Sequence, residues 1–241
     1  MNIHTIIIIL VACLSSLLPG LVNAMGLRSF VALPLEKGGT VVRVQATQNT
    51  DTDVDVLTAN LAYGISAKQT LLFGLPYRLS PAGDDRNGNL SVLYRHTIIQ
   101  DDTSTGTRRL GLLGGVVLPT EGDRDGHIQA GAVATFFHQR NEWDLDFLYR
   151  FGLDEARDAA RYDASWQYRL SPATRSGWGI KPEWYSVLEL NGRWQEDSIT
   201  RHQVTAGLQW IHRRWVLEGG VYRDLNGPED TSLILSTRIH F

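Results

Sequence analysis

The chain has 241 residues, 43% of them hydrophobic and 20% charged, with a formal net charge of −3. This balance excludes a basic nucleic-acid-binding surface, and a single cysteine, Cys13, excludes a disulfide framework. After the N-terminus no stretch is apolar for the length that a membrane helix needs, whereas half-polar membrane strands would give this composition.

Residues 6–18 form a short apolar core, and Val22-Asn23-Ala24 is a small-residue cleavage site. Residues 1–24 therefore read as a secretory signal peptide. Two features depart from that pattern: Lys and Arg are lacking at the start, and Leu10-Val11-Ala12-Cys13 resembles a lipoprotein signal. Residues 25–39 read as an N-terminal extension or plug, apolar from Leu27 to Leu35 and closed by Glu36-Lys37-Gly38-Gly39.

From Thr40 to Phe241 the chain alternates with a period of two, the signature of strands with one apolar and one polar face. The first segment, 40–47, sets Val42, Val44 and Ala46 against Arg43 and Gln45. Segments 54–64 and 70–79 follow, the latter holding Pro76, which predicts a bulge or an early end to pairing. Segment 89–99 alternates well except for His96, a polar residue on the apolar side. Segments 108–118, 127–138 and 143–151 come next, the last setting Trp143, Leu145, Phe147, Tyr149 and Phe151 against Asp144, Asp146 and Arg150. Segments 160–170, 184–194, 202–211 and 215–225 lead to 231–241, which ends on Phe241. An aromatic terminus on an alternating strand resembles the closing strand of bacterial outer-membrane barrels, where it serves as the assembly signal.

These segments predict an all-β fold, a transmembrane antiparallel up-and-down β-barrel of about 12 strands. With both termini periplasmic, the acidic connections at Asp84-Asp85, 121–125, 154–158 and 227–230 fall outside, and short turns at Ser66, Gln139 and His212 fall inside. The connections at 171–181 and 101–107 break that parity. A soluble β-sandwich is the competing fold. Its core would have to bury Arg43, Arg95, Arg109, Arg150, Arg161, Arg169, Arg193, Arg201 and Arg238, at a prohibitive desolvation cost. In a wet lumen they are tolerated. Against these the inward face carries Asp144, Asp146, Asp163, Glu189 and Glu218, so the wall has a positive excess. It reads either as a salt-bridged filling or as a surface that favours anions.

Three stretches resemble the outer-membrane family of the meta-pathway of phenol degradation. They are Ala62-Tyr63-Gly64-Ile65-Ser66 running to Gly74-Leu75-Pro76-Tyr77, then Leu110 to Thr120 with Gly122-Asp123, then Leu225-Asn226-Gly227 through Phe241. The resemblance implies a barrel that moves small, apolar compounds, and carries no catalytic or ligand residues.

No chemistry-bearing constellation is assigned. A barrel hydrolase needs a Ser and His set absent around His96-Thr97 and His138-Gln139. Asp125-Gly126-His127 is explained by a turn, Asp84-Asp85 lacks calcium-loop spacing, and His202 and His212 lack metal-ligand spacing. The expectation is a passive transporter or narrow channel for small apolar or anionic compounds, not an enzyme, with no cofactor and no metal. Its expected partners are outer-membrane lipid, lipopolysaccharide, the barrel assembly machinery and an unidentified solute. A closed-lumen structural or envelope-stress protein is the alternative, and an outer-membrane hydrolase a weaker one.

Overall fold

The computed structural model describes residues 26–122, 124–172 and 182–241. The expected leader, and the 173–181 part of the 171–181 connection, lie outside the described residues. The twelve strands are β1 (Thr40–Asn49), β2 (Asp55–Ser66), β3 (Gln69–Ser80), β4 (Leu90–Thr103), β5 (Gly106–Leu118), β6 (His127–His138), β7 (Asn141–Gly152), β8 (Ala159–Arg169), β9 (Glu183–Gln195), β10 (Arg201–His212), β11 (Trp215–Asp224) and β12 (Thr231–His240). Each pairs antiparallel with its sequence neighbours, and β1 pairs with β12, so the barrel is closed. Closure leaves no strand edge unpaired, which is the condition for a sheet to exist in lipid.

The closing seam runs from Val41↔His240 to Asn49↔Ser232. Beyond the last paired strand residue, Phe241 N–H donates to Thr40 O at 2.8 Å and Thr40 N–H to Phe241 O at 3.2 Å. The terminal aromatic is thus fastened to the first strand, one step past Ile239 on the same face.

Exposure follows the alternation. Large apolar side chains stand bare on the outer wall, among them Leu112, Trp143, Leu145, Phe147 and Phe151, and Leu235 is 69% exposed. In water such a belt would drive association; in lipid it is the required surface. Aromatic pairs sit near the strand ends: Trp143 stacks on Trp166 near the turns at the terminus end, and Tyr149 lies on Trp194 at the other end. His96 is on this outer wall as expected, with its ring nitrogen 3.2 Å from the Tyr94 hydroxyl, which satisfies the polar atom locally.

Two turn readings are settled by the register. Pro76 lies opposite Thr58 of β2, but pairing with β4 stops at Gly74↔Ser91, as expected of a residue with no N–H. The expected 101–107 loop is corrected: β4 and β5 pair through it, with Asp101 opposite Arg108 and Asp102 opposite Thr107. Only Ser104 and Thr105 lie outside the strands. A register shift between Thr97 and Ile99 precedes this hairpin. It reaches beyond the neighbouring β2–β3 turn and keeps the connection short, so the anomaly in loop parity at 101–107 disappears.

Candidate functional site: the barrel lumen

The lumen is occupied by the chain's own N-terminal segment. Gly26 lies against the wall, where an added Cβ would collide with the Glu189 carboxylate. Leu27, 0% exposed, packs on two wall glycines, Gly207 of β10 and Gly220 of β11. Glycine is required there because any side chain would occupy the space taken by Leu27. The segment then runs across the lumen and leaves it at Gly64, where Gly38 N–H donates to Gly64 O at 2.8 Å.

A free peptide in a barrel must satisfy its own backbone. The wall supplies the partners. Arg28 N–H donates to Glu189 at 3.1 Å, Phe30 N–H to Asp146 at 2.7 Å, and Ala32 N–H to Thr135 Oγ1 at 2.9 Å. On the acceptor side, the Arg95 guanidinium donates to Val31 O and, at 2.6 Å, to Leu33 O, and Arg43 donates to Leu27 O. Arg28 lies over the Tyr222 ring at 4.3 Å, and Phe30 lies beneath Arg161 at 4.1 Å. Ala32 joins an apolar layer with Leu93, Leu113, Val133 and Leu148, so part of the interior is a packed core.

The charged candidates fall into distinct sets. Arg43 and Arg238 share Glu218, at 2.7 and 2.5 Å, and Ser236 Oγ donates to the same carboxylate. Asp146 and Asp163 face each other across β7 and β8, bridged by Arg161 at 3.6 and 3.9 Å, with Arg193 on Asp163 at 2.8 Å. Asp144 accepts from Thr135 and Gln167. Arg150 has Gln129 at 3.2 Å as its side-chain partner. Two candidates lie apart, at the end of the barrel that holds the termini. Arg169 approaches Glu183 at 3.6 Å, and Arg109 is paired with Asp102 at 2.6 Å on the projecting β4–β5 hairpin. Arg201 is exposed at the opposite rim. Lumenal residues outside the sequence expectation include Arg28, Gln129 and the buried Glu142. Glu142 shares parity with Asp144 and is legible from one more residue of β7.

What remains open is a cavity of about 620 Å³ beside the plug. Among the described residues its walls include Arg28, Arg43, Arg124, Arg150, Arg161, Arg193 and Arg238, and no Asp or Glu. Of these arginines, Arg43 and Arg238 are paired with Glu218, Arg161 with Asp146 and Asp163, Arg193 with Asp163, and Arg124 with Glu121, whereas Arg150 has no carboxylate partner among the described residues.

No family model matches the sequence and no curated protein matches it. Solved structures do. The chain superposes on the KdgM porin with a TM-score of 0.56 at 8% identity, covering 83% of this chain and 99% of that one. For the NanC porin the values are 0.56, 11%, 82% and 98%. For the COG4313 outer membrane channel from Pseudomonas putida F1 they are 0.52, 15%, 87% and 98%. The fold is that of outer-membrane porin barrels. At these identities the likeness concerns backbone architecture, and the lumen of this porin-type barrel has to be read from its own side chains.

Proposed function

We propose that the protein sits in the bacterial outer membrane as a narrow passive channel, with a preference for small anionic solutes. The observation that carries this reading is the cavity wall, seven arginines with no carboxylate among the described lining residues. Such a wall creates a positive potential in a confined, low-dielectric space and concentrates anions there. The likeness in fold to two porins and an outer membrane channel supports the channel, as does the motif resemblance to the phenol meta-pathway family; the preference for anions rests on the cavity wall alone. The segment 26–35 narrows the passage, so flux requires the plug to shift within the lumen. The test is solute uptake by liposomes holding the refolded protein. Small anions should enter faster than neutral compounds of equal size, and loss of residues 26–35 should raise both rates. Liposomes that stay impermeable with and without the segment would refute the reading.

The plug also favours a second reading, a closed structural barrel, because at least three of its backbone N–H groups are satisfied by wall side chains. That reading predicts no uptake in the intact protein.

A further inference from the structure

Four arginines stand in one row on the inner wall at the rim opposite the termini. Arg161 of β8 is directly opposite Arg193 of β9, and Arg193 is directly opposite Arg201 of β10. Arg150 of β7 is one diagonal step from Arg161, since Leu148 is the residue opposite Arg161. Directly opposed like charges destabilise a sheet, so a sequence selected for stability alone would avoid placing three in succession. The two nearby carboxylates do not balance the row. Asp163 lies 2.8 Å from Arg193, and Asp146 lies 3.6 Å from Arg161 while also accepting from Phe30 N–H. Among the described residues no carboxylate lies within ion-pair distance of Arg150 or Arg201. All four line a cavity of about 610 Å³ whose lining includes no Asp or Glu among the described residues. Three of them also line the larger cavity beside the plug. Phe30 beneath Arg161 fixes one guanidinium in place, and the Arg161 and Arg193 side chains keep 19% and 29% of their surface open to the cavity.

We infer that Arg150, Arg161, Arg193 and Arg201 form a binding site for small multiply charged anions carrying two or more carboxylate or phosphate groups. Opposed residues on neighbouring strands are about 5 Å apart, so adjacent guanidiniums can each take one acidic group of the same molecule, and a single charge engages only part of the row. The site names the solute class of the proposed channel, and in that sense it rests on the channel reading, but binding can be measured without transport.

The experiment is calorimetric titration of the full-length protein, refolded in zwitterionic detergent, with inorganic pyrophosphate, citrate and acetate at fixed salt. Pyrophosphate and citrate should bind at least tenfold more tightly than acetate. Arg150→Gln and Arg201→Gln should each weaken pyrophosphate binding about tenfold, the loss of one charge-assisted contact. Arg223→Gln removes the same charge near the same rim, from a side chain paired with Glu229, and should leave affinity unchanged. Equal weakening by all three variants, or no preference for pyrophosphate over acetate, would overturn the site. A further arm adds lipopolysaccharide micelles. Unchanged pyrophosphate affinity supports a soluble ligand, and competition would assign the row to lipid phosphates and overturn a solute site. Variants are compared only where unboiled samples give the folded band, and Arg201→Gln, at an exposed position, keeps the test open if Arg150→Gln misfolds. Tight binding with impermeable liposomes would refute the channel and leave the site standing; uptake without binding would do the reverse.

Discussion

Arg95 is the clamp on which plug docking depends most visibly. It is 5% exposed on β4 and its guanidinium holds the carbonyls of Val31 and Leu33. Arg95→Met keeps most of the aliphatic stem and removes both bonds. A hydrogen bond to a charged group contributes about 1.5–3 kcal/mol. The low end applies, because the variant also relieves the desolvation of a buried charge. Two bonds then give a loss of about 3 kcal/mol in docking, roughly a hundredfold rise in the undocked fraction. The reporter is Ser29→Cys, a near-isosteric change at a position only 2% exposed, in a chain whose single cysteine, Cys13, is replaced by Ser. Maleimide labelling of the folded barrel should be slow, and about a hundredfold faster when Arg95→Met is added. Equal labelling rates in the two backgrounds would refute the clamp. If the introduced thiol reacts as fast as a free one without Arg95→Met, plug docking itself is refuted.

Gly220→Ala should loosen the same segment from the other side, since the new Cβ would lie 2.8 Å from Leu27 and 2.6 Å from the Ala206 carbonyl; a lower temperature for loss of the folded band on gels checks it. Deleting Phe241 removes the reciprocal backbone bonds to Thr40 and should impair insertion, with His240→Ala far milder; heat-modifiable mobility in membrane extracts decides. In the connection after β7, Asp158 accepts from the Tyr149 hydroxyl at 2.6 Å and from Gly152 N–H at 2.8 Å, and these bonds hold its carboxyl below the usual range. A depressed carboxylate stabilises the fold above its ordinary value near 3.9, and the contribution disappears as pH falls through the lower folded value. Gly152 amide exchange should therefore be faster in Asp158→Asn than in wild type at pH 7, and the two should converge in strong acid.

Most of the barrel is legible in the sequence because lipid and water impose a strict period of two, and a shift of one residue would turn every apolar side chain into the lumen. The segment around Trp143, Leu145 and Phe147 carries that constraint on its surface. The 101–107 stretch reads as a loop for the opposite reason. Beyond the apolar belt nothing enforces alternation, and Asp-Asp-Thr-Ser-Thr-Gly has turn chemistry although only its centre turns. The fastening of the plug has no sequence signal. Its contacts join the backbone of residues 28–33 to Glu189, Asp146, Thr135 and Arg95, partners 62 to 161 positions away. Arg109 shows the limit of facing assignments: its parity is inward, but its partner is Asp102 on the projecting hairpin. The row of opposed arginines likewise needs the register, since Arg161, Arg193 and Arg201 lie on three different strands.

The arginine wall is tested most directly by the reversal potential of the refolded protein in a planar bilayer across a tenfold potassium chloride gradient. A measurable conductance is expected, with a reversal potential of the sign of chloride selectivity that is reduced when Arg150 and Arg201 are replaced by Gln. A reversal potential of the cation-selective sign, or no conductance even after residues 26–35 are removed, would contradict it.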